Sequence, residues 1–265
     1  MVFRRLSRWA VAVPVALVIA GLSGCGSEEP ATSSASTAAA AGAKELNVFA
    51  AASLTGTFTE LGRTFETAHP GTTVKFNFGS SATLAQQIVQ GAPADVFAAA
   101  SPATMKTVTD ASPASAPTTF VRNKLEIAVP KDNPAKVDEL KDLTDPTVKV
   151  ALCAEQVPCG AAAVRALNAA GLKVTPVTLE QDVKATLTKV ELGEVDAALV
   201  YTTDVIAAAG KVRGIDFPEA DKAINDYPIA TLSKAPAGDL AKQFVDLVLS
   251  QQGKDVLTTA GFEAP

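Results

Sequence analysis

From residue 46 onward, short apolar runs alternate with amphipathic ones, and this alternation restricts the chain to an α/β architecture. Residues 46–51 form an apolar, strand-like run. Leu54, Phe58, Leu61 and Phe65 then recur at helical spacing until His69-Pro70-Gly71 stops them. Residues 73–78 alternate as a strand, 82–90 read as a helix ended by Gly91, and 94–99 read as a third strand. A β-α-β-α-β order predicts a parallel sheet with right-handed crossovers. Residues 124–129 are a further strand, followed by Pro130 and a polar stretch to Pro146.

The pattern then restarts. Residues 148–153, 174–179 and 197–201 read as strands, with helices over 160–170, 183–192 (closed by Gly193) and 202–209 (stopped by Gly210). A strand over 227–232 precedes a helical region from 239 to 260. Two such sets predict two α/β domains with parallel-rich sheets flanked by helices and a ligand cleft between them. The expected division is 44–122 with 229–265 as domain 1 and 123–228 as domain 2, joined by two crossover strands. Ligands of open parallel sheets bind beyond the carboxyl ends of the strands.

Four neutral segments fall at those ends: Ala51-Ala52-Ser53-Leu54-Thr55, Gly79-Ser80-Ser81-Ala82-Thr83, Val157-Pro158-Cys159-Gly160 and Gln181-Asp182-Val183. Each is placed to open a helix. A helix start carries unpaired N–H groups and the positive end of a dipole, so several aimed at one point would hold a small oxyanion without Lys or Arg. Taken singly, Ser53 and Ser81 also read as helix N-caps. Tyr201 also reads as a strand-end aromatic, and Asp182 as the cap of its helix.

The two ends of the chain carry different information. Arg4, Arg5 and Arg8 precede an apolar run over 9–20 that is short for a membrane span and reads as a signal peptide. It ends in Leu22-Ser23-Gly24-Cys25, which resembles a bacterial lipobox. That resemblance implies cleavage of residues 1–24 and lipid on Cys25. Residues 25–43, rich in Ser, Thr and Ala, read as a flexible tether. The expected location is the outer face of the cytoplasmic membrane. Loss of the three leader arginines takes the formal net charge from −5 to −8. An acidic chain without a basic run is not a nucleic-acid binder, and it repels anions at long range, so anion affinity must come from local donors. Cys153 and Cys159 remain as a pair in an exported chain, and a disulfide is the expectation. With one His in the chain a metal site is poorly supplied, no cofactor is implied, and no nucleophile elbow, P-loop or dinucleotide fingerprint is present, so an enzyme is not expected.

The ordered set of segments resembles the molybdate-binding proteins of ABC importers, within the type II periplasmic binding-protein class. The resemblance is carried by Val48-Phe49-Ala50-Ala51-Ala52-Ser53-Leu54-Thr55, Gly79-Ser80-Ser81-Ala82-Thr83-Leu84-Ala85, Gly91-Ala92-Pro93-Ala94-Asp95-Val96-Phe97, Val157-Pro158-Cys159-Gly160, Asp182-Val183 and Val200-Tyr201. It covers about residues 45–265. It implies that Ser53 and Ser81 donate through side chain and backbone, Cys159 and Val183 through backbone N–H, and Tyr201 through its phenol. Where this chain has Cys159 the family has Ala, which matters little for an amide donor. A donor-only pocket suits a fully deprotonated tetrahedral dianion, because hydrogen phosphate also needs an acceptor. The resemblance favours molybdate and tungstate, an ABC permease as partner and a monomer. A sulfate or thiosulfate carrier of the same class, or a surface lipoprotein without a transport role, is the alternative.

Overall fold

The computed structural model describes residues 44–265 apart from Pro113 and Lys234. The leader, the tether and Cys25 lie outside the described residues.

Two five-stranded sheets are built on one plan. The first contains β1 (Lys44–Ala51), β2 (Thr72–Gly79), β3 (Val96–Ala98), β4 (Thr118–Asn123) and β10 (Asn225–Thr231), in the order β2-β1-β3-β10-β4. β1 runs parallel to β2 and β3, with Ala51 opposite Gly79, and β10 is antiparallel to β3 and β4. The second sheet contains β5 (Leu125–Pro130), β6 (Val150–Cys153), β7 (Thr178–Glu180), β8 (Ala197–Tyr201) and β9 (Val212–Ile215), in the order β7-β6-β8-β5-β9. β6 is parallel to β7 and β8, and β5 is antiparallel to β8 and β9. In each sheet the first of the three parallel strands, β1 or β6, lies between the second and the third. The carboxyl ends of the three parallel strands therefore come together, and the chain reverses its winding there.

Helices cover both faces of the first sheet, which is why β1 is apolar and buried without a break from Val48 to Ala51. Leu46, Val48 and Ala50 face α1 (Thr55–Ala68), α7 (Gly238–Leu249) and α8 (Gln251–Thr259), packing with Phe58, Phe65, Phe244 and Leu257. Phe49 points the other way, onto Leu84 and Ile88 of α2 (Ser81–Val89) and Met105 and Val108 of α3 (Pro102–Ala111). The C-terminal helices thus return to the first sheet. The second core is built on β5, β6 and β8. Ala162, Ala163 and Ala166 of α4 (Pro158–Ala170) and Leu187 and Val190 of α5 (Val183–Glu191) pack against it.

Several expected elements take other bounds. The strand over 174–179 shrinks to β7, because Pro176 lacks an N–H and stands outside the ladder. The region 239–260 is two helices broken at Ser250, whose Oγ accepts the Gly253 N–H (3.2 Å) as an N-cap. α3 and the strands β4 and β9 were not legible in the alternation. α3 nonetheless carries a start signal, with Ser101 Oγ accepting Thr104 N–H (3.3 Å) and Pro102 in its first turn. Ser53 is no N-cap: it lies inside a 3₁₀ turn, Ala52–Leu54, that precedes α1. Ser81 is the first residue of α2, after Ser80, and does not cap it either. α4 begins at Pro158 rather than 160, with Pro again in the first turn.

Candidate functional site

All four segments converge. A single cavity is lined by Ala51, Ala52 and Ser53 after β1, Gly79, Ser80 and Ser81 after β2, and Ala100 after β3. From the second sheet come Val157, Pro158 and Cys159 after β6, Asp182 and Val183 after β7, and Tyr201 at the end of β8. Its volume is about 20 Å³. One water takes about 10–15 Å³ on the same measure, so the space suits one compact body and excludes a sugar or a peptide. The five residues expected to hold a ligand, Ser53, Ser81, Cys159, Val183 and Tyr201, all stand on its wall.

The backbone supplies the first group of donors. Ser81, Cys159 and Val183 lie in the opening turns of α2, α4 and α5, and Ser53 in the 3₁₀ turn. No backbone acceptor among the described residues takes the N–H of any of the four. The α4 start is held tightly against the end of β6. Cys153 and Cys159 are joined by a disulfide across a Cα separation of 5.8 Å. A Cβ at Gly160 would run into the Ala154 carbonyl, so only glycine lets α4 begin so close to the strand.

Hydroxyls supply the second group. Ser81 Oγ accepts the Ala100 N–H at 2.9 Å. Ser53 Oγ lies 2.9 Å from the Tyr227 hydroxyl. Tyr201 OH accepts from Asn225 Nδ2 at 2.7 Å. Ser80 Oγ is buried without a partner among the described residues, although it lines the cavity. Such an orphan costs about 1–3 kcal/mol unless a bound group satisfies it.

Among the described residues no Lys or Arg lines the cavity. The nearest cation at the α5 start, Lys184, is committed to the fully buried Asp204 (Nζ to Oδ1, 2.9 Å), as an ion pair without a well-directed hydrogen bond. Burial raises the Asp204 carboxyl above its ordinary range, against the pull of Lys184. Among the described residues Asp182 is the one acidic residue on the wall. Its Oδ1 accepts the Ala185 N–H at 3.0 Å, the capping role expected of it. Burial, with Tyr227 and Asp204 beside it, lifts the Tyr201 phenol well above its usual range, so it keeps its proton and remains a donor at neutral pH. Among the described residues no cluster of His, Cys, Asp and Glu could hold a metal ion.

Sequence reasoning missed the groups behind the wall. Tyr227, Asn123, Asn225 and Arg165 come from the crossover strands and α4, remote in sequence from the segments they support. Ala100 and Ser80 were also missed. A loop Ala carries no chemical signal, and nothing local separates Ser80 from Ser81.

A paired-sheet α/β fold with a donor-lined cleft at the switch points of both sheets is the type II periplasmic binding-protein fold. The model of the bacterial extracellular solute-binding protein family matches residues 46–263, and the chain belongs to that family. Within it, the chain is 42% identical over 251 residues to the molybdate-binding protein ModA of Mycobacterium tuberculosis, covering 94% of this chain and 95% of that protein. Among solved structures, the Azotobacter vinelandii periplasmic molybdate-binding protein superposes with a TM-score of 0.71 at 22% identity, covering 83% of this chain and 99% of that one. The sulfate-binding protein SubI from Mycobacterium tuberculosis superposes with a TM-score of 0.72 at 16% identity, covering 83% and 87%. At these identities the superpositions establish the fold alone, and the fold does not choose the anion.

Proposed function

We propose that this chain captures molybdate, and tungstate with it, outside the cytoplasmic membrane and delivers it to the permease of an ABC importer. The observation that carries this reading is the convergence of four unpaired amides and the Ser53, Ser81 and Tyr201 hydroxyls on one small cavity without a cationic side chain. Neutral donors of this kind stabilise a dianion through local dipoles, and they are preorganised, so little ordering is needed on binding. Identity of 42% to a protein named for molybdate binding supports the choice of anion. In this reading Ser53 and Ser81 donate through hydroxyl and amide, Cys159 and Val183 through their amides, and Tyr201 through its phenol. The two lobes, one built on each sheet, close on the anion about the two crossovers. The domain works as a monomer, tethered through residues 25–43 to lipid on Cys25.

Sulfate is the second reading, since it too is a fully deprotonated tetrahedral dianion that a pocket of neutral donors accepts. Molybdate and tungstate have longer bonds to oxygen than sulfate, so cavity size discriminates among dianions of equal charge. Titration calorimetry of the soluble domain with molybdate, tungstate, sulfate and phosphate tests the assignment. Molybdate and tungstate are expected to bind at least 100-fold more tightly than the other two, about 2.7 kcal/mol. Sulfate binding as tightly as molybdate would overturn it.

A further inference from the structure

We infer that Ser80 is a further ligand-binding residue, whose hydroxyl donates to the oxyanion beside the groups already assigned to that role. This rests on the reading that the cavity takes an oxyanion.

Ser80 stands between β2 and α2, at the position from which a serine ordinarily caps the helix that follows. Its backbone plays that part, since the Ser80 carbonyl accepts the Leu84 N–H at 2.9 Å. Its side chain does not. No amide of the first turn of α2 donates to Ser80 Oγ, and the helix start is left without a side-chain cap. The residue is 6% exposed and lines the cavity, and its Oγ is buried without a partner among the described residues. A hydroxyl at a capping position that neither caps nor reaches solvent serves nothing in the ligand-free fold.

The other hydroxyls of the wall set it apart. Four described residues there carry one: Ser53, Ser80, Ser81 and Tyr201. Ser53 is engaged with Tyr227, Ser81 with the Ala100 N–H and Tyr201 with Asn225. Ser80 alone has no partner among the described residues. Its proton can therefore turn onto a ligand oxygen without breaking a hydrogen bond inside the protein. The cavity measures about 20 Å³, a space that one compact anion fills. A buried hydroxyl left unpaired is destabilising, and an anion that accepts from it removes that cost as well as gaining the bond. The serine thus trades stability of the ligand-free domain for affinity. Its neighbour does not, because Ser81 holds the Ala100 amide whether or not an anion is bound.

The test is Ser80→Ala, read in two ways. Titration calorimetry with molybdate is expected to show an affinity lower by about tenfold or more, the worth of one hydrogen bond to a charged group. Scanning calorimetry without ligand is expected to show a melting temperature unchanged or higher by about one or two degrees, because the variant removes a hydroxyl that the ligand-free fold leaves unpaired. A helix cap has the opposite signature: a melting temperature lower by about three degrees or more, with affinity unchanged. A loss of affinity smaller than about threefold overturns the proposal. So does a larger loss that comes with such a fall in the ligand-free melting temperature, or a variant that does not fold, since the hydroxyl then serves the fold. A wild type that binds molybdate while Ser80→Ala binds it equally well overturns this inference only. A wild type that binds no molybdate overturns the function proposed above and this inference with it.

Discussion

Ser81 has two duties and one hydroxyl. Its lone pair takes the Ala100 N–H, and its proton and amide are left to the cavity. The serine is 1% exposed, so whatever replaces it stays on the wall. Ser81→Asp places a carboxylate in the first turn of α2, where the helix dipole tolerates it and the fold survives. The same carboxylate faces the bound dianion. Molybdate affinity is expected to fall beyond about 100-fold, while the melting temperature changes by no more than about two degrees. Ser81→Ala keeps the amide and is expected to lose about tenfold, one hydrogen bond to a charged group. Calorimetry on the two variants checks both values, and tight molybdate binding by Ser81→Asp would remove Ser81 from the site. Tyr201 shows the limit of single-residue reading. Its position at the end of β8 was legible, but its hydrogen-bond partner Asn225, 24 residues away, was not.

At the scale of elements, the start of α4 is the most constrained part of the site. Pro158 in the first turn, Gly160 against the Ala154 carbonyl and the Cys153–Cys159 bridge together hold the Cys159 amide on the wall. Thr186 of α5 packs its hydroxyl against Cys153 Sγ at 3.2 Å, which ties the α5 start to the same point. With a sequence separation of 6, loop entropy assigns the bridge about 2 kcal/mol. Complete reduction should lower the melting temperature by a few degrees and weaken molybdate binding about two- to fivefold, because the donor loses preorganisation. Scanning calorimetry and ligand titration before and after reduction measure the two effects. Unchanged affinity in the reduced domain would leave the bridge a purely structural role. Two reactive thiols in the native exported domain would exclude the bridge altogether.

For the whole molecule, the two sheets meet through two short connections, Lys124 between β4 and β5 and the segment between Ile215 and Asn225. A buried asparagine stands at each. Asn123 Nδ2 donates to Thr203 Oγ1 at 2.8 Å, across the sheets, while its Oδ1 accepts the Lys124 N–H at 3.1 Å. Asn225 makes the other link. The crossovers therefore carry the polar support of the site as well as the chain. Beyond the described residues, the proposed lipid on Cys25 keeps the domain at the membrane. Cys25→Ser is expected to shift the protein from the membrane fraction to the soluble or medium fraction, read by fractionation and immunoblotting. A variant that stays with the membranes would refute the anchor.

The alternation of apolar runs determined the α/β class, and the segments after residues 51, 79, 153 and 180 marked the wall of the cavity. Both are local properties: strand ends and helix starts are written in residues close together in the chain. The sequence also paired Cys153 with Cys159, because only two cysteines remained for an exported domain. Tertiary structure alone decided what the hydroxyls do. Ser53 and Ser81 looked like caps, yet one meets Tyr227, 174 residues away, and the other meets the Ala100 amide. Edge strands β4 and β9 were invisible because their half-exposed faces interrupt the apolar pattern, and pairing with β10 and β5 holds them in place. Direction in a hydrogen-bond network depends on which groups can only donate and which can only accept. Those groups, Arg165 donating to Asn225 and the Ala100 carbonyl accepting from it, become neighbours only when the two sheets are brought together.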